Sequence, residues 1–126
     1  MRLNLAFVPG DYAVCRLEPD APVPDWAWHG AFSSVTRTSD ELSIVCDSSV
    51  APQGIKLERG WACMKLRGPF DFNLTGVLTS VLEPLRDAGI GIFAVSTFDT
   101  DYVLVKHTSL EVAVDALERA GHEFER

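Results

Sequence analysis

The sequence predicts an α+β fold, with strands and helices in the order βαββαβ from about residue 57 to the end. Three observations carry this. Val77, Leu78, Val81, Leu82, Leu85 and Ala88 recur at helical spacing, and Gly89 follows where a C′ glycine belongs. Leu110, Ala113, Val114, Leu117 and Ala120 mark a second helix that stops at Gly121. Around them lie short apolar runs at residues 60–66, 90–97 and 102–106, rich in β-branched and aromatic residues, and residues 122–125 form a short last strand.

Taken in order, residues 12–17 read as a strand. Residues 19–24 hold three prolines and read as a loop. Trp26-Ala27-Trp28 is too short to assign. Residues 32–37 and 42–46 read as strands joined by a polar turn at 38–41, and residues 47–54 as a connector. The strand at 60–66 ends at Gly68-Pro69. The first helix is expected over residues 75–88, with a kink at Pro84, which lacks the N–H that would bond the carbonyl of Ser80. Thr108 and Glu111 match a capping box for the second helix.

The chain repeats itself weakly. Tyr12-Ala13-Val14-Cys15-Arg16-Leu17 resembles Trp61-Ala62-Cys63-Met64-Lys65-Leu66, and Gly30-Ala31-Phe32 resembles Gly91-Ile92-Phe93. The offsets are 49 and 61 positions, so the first half lacks about one helix between its first two strands. Residues 1–56 therefore read as a shortened, mostly β copy of residues 57–126, with chance similarity of short apolar strands as the alternative. Residues 90–95 and 103–105 are apolar on both faces, which predicts a sheet buried on both sides. Two helices cover only one face, so the first half or a second subunit should cover the other, and a homodimer is expected.

Composition narrows the function. With 126 residues, 47% hydrophobic and 23% charged, the chain is globular and large enough to fold without disulfides or metal. A net charge of −7 and scattered basic residues argue against nucleic acid and anionic membranes. The N-terminal residues do not read as a signal peptide and no apolar run reaches membrane-span length, so a cytoplasmic location is the default expectation. Cys15, Cys46 and Cys63 lie in strand-like runs without metal-ligand spacing and read as small buried hydrophobes. His29, His107 and His122 read as surface residues. No nucleophile motif, P-loop or dinucleotide fingerprint occurs, so neither catalysis nor a cofactor is expected.

Two polar stretches stand out. Residues 68–76 lead into the first helix, whose free N–H groups suit a carboxylate. Residues 96–101 carry more polar groups than a hairpin requires, and Asp99 and Asp101 suit an ammonium group. An ordinary N-cap and an ordinary polar turn account for the same residues.

Thr75-Gly76-Val77-Leu78, leading to Ala88-Gly89-Ile90, resembles the first helix of ACT domains. The run from Ser96 through Asp101 to Val105 is similar to the matching segment of tandem ACT proteins of bacteria, aspartate kinase regulatory regions and animal cytosolic arginine sensors. This resemblance implies ferredoxin-like units with their sheets side by side and an amino acid bound at an interface. It implies Phe72, Thr75, Gly76 and Val77 on the loop, and Thr97, Thr100 and Asp101 on the hairpin, as ligand-binding residues. The chain departs from aspartate kinases in having no kinase domain, and from complete ACT pairs in its shortened first copy. A module that contacts other proteins without a small ligand is the competing expectation, with Trp26 and Trp28 on its contact surface.

Overall fold

The computed structural model describes residues 1–71 and 73–125. Among these residues seven strands and two α-helices follow in the order β1 (Asn4–Leu17), β2 (Ser34–Arg37), β3 (Leu42–Asp47), β4 (Lys56–Leu66), α1 (Thr79–Asp87), β5 (Phe93–Ser96), β6 (Asp101–Lys106), α2 (Leu110–Arg119) and β7 (Glu123–Phe124). From β4 onward the order is βαββαβ. The chain divides into two compact units, Pro9–Trp61 and a second made of Met1–Val8 with Ala62–Arg126. Strands β1 and β4 each contribute to both.

In the unit Pro9–Trp61, β3 lies between β2 and β1, antiparallel to both, with Cys15 opposite Ile44 and Val35 opposite Ile44 on the other side. Its core is made of small and medium side chains: Ala13, Cys15, Ala27, Leu42, Ile44, Cys46 and Ala51. Residues 25–28 form a single 3₁₀ turn that buries Ala27 and leaves Trp28 exposed.

In the other unit the strand order is β7-β1-β4-β6-β5. Val81 and Leu85 of α1 and Ala113 and Leu117 of α2 turn inward onto Leu5, Met64, Leu66, Val103 and Val105. Burying each such Leu or Val stabilises by about 1.5–3 kcal/mol, so the predicted helical faces are the ones that close this core.

Several expectations are corrected. Residues 4–8 form a strand that the sequence reading passed over, because Pro9-Gly10 looks like a terminator. The strand continues through that pair: Gly10 takes φ 121°, open to glycine, and the Tyr12 hydroxyl donates to the Pro9 carbonyl at 2.6 Å. Asn4 and Leu5 pair in parallel with Glu123 and Phe124. Helix α1 begins at Thr79, four residues later than expected, after a turn in which Gly76 has φ 83°. The capping box does not form. A 3₁₀ turn over His107–Ser109 leads directly into α2, whose N-cap is Ser109 without a side-chain bond. Val103, Leu104 and Val105 are buried as expected, but β5 is not buried on both faces. It pairs with β6 at the end of the strand order, and Ile92 and Ala94 are exposed.

His122 is the sharpest departure. It is buried, not exposed. Its Nδ1 accepts the Leu3 N–H at 3.1 Å, which leaves Nε2 as the protonated nitrogen, 2.8 Å from the Ser80 carbonyl. That carbonyl is the one Pro84 cannot serve. The imidazole supplies the missing donor and ties α1 to the first strand at the same time.

Candidate ligand-binding site

The loop after β4 and the β5–β6 hairpin meet through the backbone. Phe70 donates its N–H to the Asp99 carbonyl at 2.9 Å. A Cβ on Gly68 would stand 2.9 Å from that same oxygen, so this close approach requires glycine. The hairpin is closed by Ser96 opposite Asp101 and by the Thr97 N–H donating to the Thr100 carbonyl at 2.8 Å. Between loop and hairpin lies an open cavity of about 200 Å³, lined by Phe70, Asp71, Leu74, Val77 and residues 96–101.

Of the residues expected at a site, Val77, Thr97, Thr100 and Asp101 line this cavity. Thr75 and Gly76 are exposed on the approach to α1 and are not among its lining residues. Phe72 lies outside the described residues. Phe70, Asp71, Leu74, Ser96 and Phe98 also line it, and the sequence does not single them out. The signal for them was their place inside the two polar stretches, 68–76 and 96–101.

Several of these side chains already have partners. The buried Thr100 hydroxyl donates to the Leu66 carbonyl on β4. Thr97 Oγ1 donates to the Thr100 carbonyl at 3.0 Å and accepts the Thr100 N–H at 3.4 Å. Asp101 Oδ1 accepts from the Ser96 hydroxyl, and Asp71 Oδ1 accepts the Asn73 N–H at 2.8 Å. The threonines thus hold the hairpin shape, while the described lining residues include three carboxylates, Asp71, Asp99 and Asp101, and no cation. Leu74 and Phe98 are exposed at the mouth, Phe98 to 78%.

Other reactive groups are quiet. Burial pushes the Cys63 thiol up to about 12, which leaves it protonated and a poor nucleophile. Cys46 donates to Cys15, lowering the Cys15 thiol and holding Cys46 protonated. Among the described residues no cluster of three or more His, Cys, Asp or Glu is arranged to hold a metal ion. Among them, too, no helix is long and apolar enough to cross a membrane.

Residues 56–119, from β4 to the end of α2, match the ACT domain family, and residues 10–54 match a family described as an N-terminal domain. The chain belongs to the ACT domain family. ACT domains are regulatory and not catalytic modules. A protein of Agobacterium tumefaciens known from its X-ray crystal structure is 46% identical, over 99% of this chain and 93% of that one, with a TM-score of 0.94. The regulatory subunit of aspartate kinase from Thermus thermophilus, in its ligand-free form, shares the fold at 12% identity, with 93% and 96% of the two chains covered and a TM-score of 0.66. The aspartate kinase of Clostridium acetobutylicum shares it at 13% identity and a TM-score of 0.68, over 92% of this chain but 34% of that enzyme. No curated protein sequence matches.

Proposed function

We propose that this ACT protein is a stand-alone regulatory module that binds a small amino acid and transmits its presence through contacts with a second copy or a partner. The supporting observation is the cavity between the 68–78 loop and the 96–101 hairpin, with Asp71 on the loop and Asp99 and Asp101 on the hairpin. An ammonium about 4 Å from one carboxylate gains roughly 1–4 kcal/mol at dielectrics between water and the protein surface, so an amine or basic side chain belongs by Asp99 and Asp101. The ligand carboxylate belongs at the N–H groups of Gly76 and Val77, in the turn that leads into α1. On this reading residues 57–126 are a ferredoxin-like unit, residues 1–56 are its shortened copy, and the working form is a cytoplasmic homodimer. Regulation requires the ligand to bind the two assembly states with different affinity.

Calorimetry against the twenty amino acids tests the reading. One of them should bind, and Asp101→Asn should weaken it about tenfold, the effect of losing one charge contact worth roughly 1.4 kcal/mol. Absence of binding at millimolar concentrations, or binding indifferent to Asp101→Asn, would sink it. A second reading, a protein-contact module with no small ligand, draws support from the engaged hydroxyls of Thr97 and Thr100 and from the exposure of Phe98. Pull-down with and without added amino acids separates the two.

A further inference from the structure

A second concavity lies away from the proposed amino-acid site, between α2 and the Phe7 ring of β1, with a volume of about 760 Å³. Its floor is apolar. Phe7 stacks on Phe124 with centroids 4.9 Å apart yet stays 40% exposed, Val112 is 54% exposed, and Leu110 and Val114 are half-buried beside them. Its rim is acidic. Glu111, Asp115 and Glu118 stand at i, i+4 and i+7, one stripe along α2 about 10 Å long. Among the described residues no Lys, Arg or His lines it. The one cation on that helix, Arg119, is bound to Asp115 at 3.0 Å.

Glu111 in the first turn and the Asp115–Arg119 pair support α2, but Glu118 sits in the last turn, where the helix dipole disfavours a carboxylate, so the stripe does not serve the helix along its whole length. Nor does it suit a second copy of this chain, which would bring the same stripe and another net charge of −7. An apolar floor of about two helical turns beside a single-sign rim fits one kind of occupant: an amphipathic helix with apolar residues on one face and Lys or Arg flanking them. We propose that this groove docks a basic amphipathic helix of a partner protein. The proposal is independent of the amino-acid site and stands if that site is empty.

The test is a titration of the isotope-labelled full chain, followed by NMR, with three synthetic peptides of about fifteen residues. The first is an amphipathic Leu/Lys helix, the second its Leu/Glu counterpart, and the third the Leu/Lys composition scrambled to destroy amphipathicity. The first should shift Phe7, Glu111, Val112, Asp115 and Glu118 together. Glu111→Lys with Glu118→Lys should weaken it at least about tenfold, and Val112→Ser, a change at an exposed position, should weaken it severalfold. Asp20→Lys with Glu83→Lys makes the same charge change elsewhere and should leave affinity within about twofold. Equal binding of the scrambled or acidic peptide, equal loss in the control pair, or shifts spread evenly over the acidic surface would overturn the proposal. So would concentration-dependent shifts at the groove residues without peptide, which would assign the groove to a second copy.

Discussion

The two units close their cores by different means. The unit that ends the chain lays two helices on its strands and fills the space with Leu and Val side chains. The unit Pro9–Trp61 has no α-helix, and its cluster contains three alanines and two cysteines. Guanidinium groups tie its loops down instead. Arg59 bonds the Ser48 carbonyl and hydroxyl and reaches the Ala51 carbonyl at 2.9 Å. Arg37 bonds the Pro19 carbonyl and reaches the Ala21 carbonyl at 2.7 Å. A loop cannot satisfy its own backbone as a helix does, and a planar fork with five donors serves two carbonyls at once. The comparison teaches that a unit short of helices can still be specified, by polar ties in place of apolar ridges.

Four changes would break or sharpen this contrast. The largest effect is expected in the helical unit at His122. His122→Leu leaves the Leu3 N–H and the Ser80 carbonyl buried without partners and should cost about 2–4 kcal/mol in urea unfolding. In a Pro84→Ala background the Ser80 carbonyl regains a backbone donor, so the penalty should shrink by about 1 kcal/mol. A purely additive cycle would refute the coupling. Next is Arg59→Met, which keeps the stem and removes the fork. It should cost about 1–3 kcal/mol and raise amide exchange in residues 48–54 ahead of the helical core. Uniform loss of protection would mean that the ties are not local. Third, Gly10→Ala puts a methyl group 3.2 Å from the Tyr12 ring at a positive φ and should cost about 1–2 kcal/mol.

The smallest effect concerns Asp47, which sits below the usual carboxylate range because Ser49 donates to it from hydroxyl and backbone. A depressed carboxyl lends stability that is present above its unfolded pKa and lost as pH falls through the folded one. Asp47→Asn should therefore be mildly destabilising at neutral pH and neutral in strong acid. An unchanged difference at both would remove the bond from the account.

The helices and most strands were legible because burial imposes a period, and Val81, Leu85, Ala113 and Leu117 keep it. What was not legible depended on partners distant in sequence. Residues 4–8 become a strand because β4 and β7 flank them, and nothing local to Pro9-Gly10 announces that. His122 looks like any polar residue near a terminus until Ser80 and Leu3 are brought to its two nitrogens. The Thr108–Glu111 motif had the right spacing but lost to a 3₁₀ entry at His107. At the cavity, the two polar stretches were visible as stretches. That Thr100 spends its hydroxyl on Leu66, and that Gly68 is required by the Asp99 carbonyl, are facts about backbone approach that spacing does not encode.

The parallel pairing of Asn4 and Leu5 with Glu123 and Phe124 has a consequence for the order of events during synthesis. Leu3 is made 119 residues before its His122 partner. Residues 9–61 have all their own strand partners well before that, so they can settle first as a nascent domain. The opening segment gains β4 as a neighbour once residues 62–66 are made, and its other edge stays open until Glu123 and Phe124 are there to pair with it.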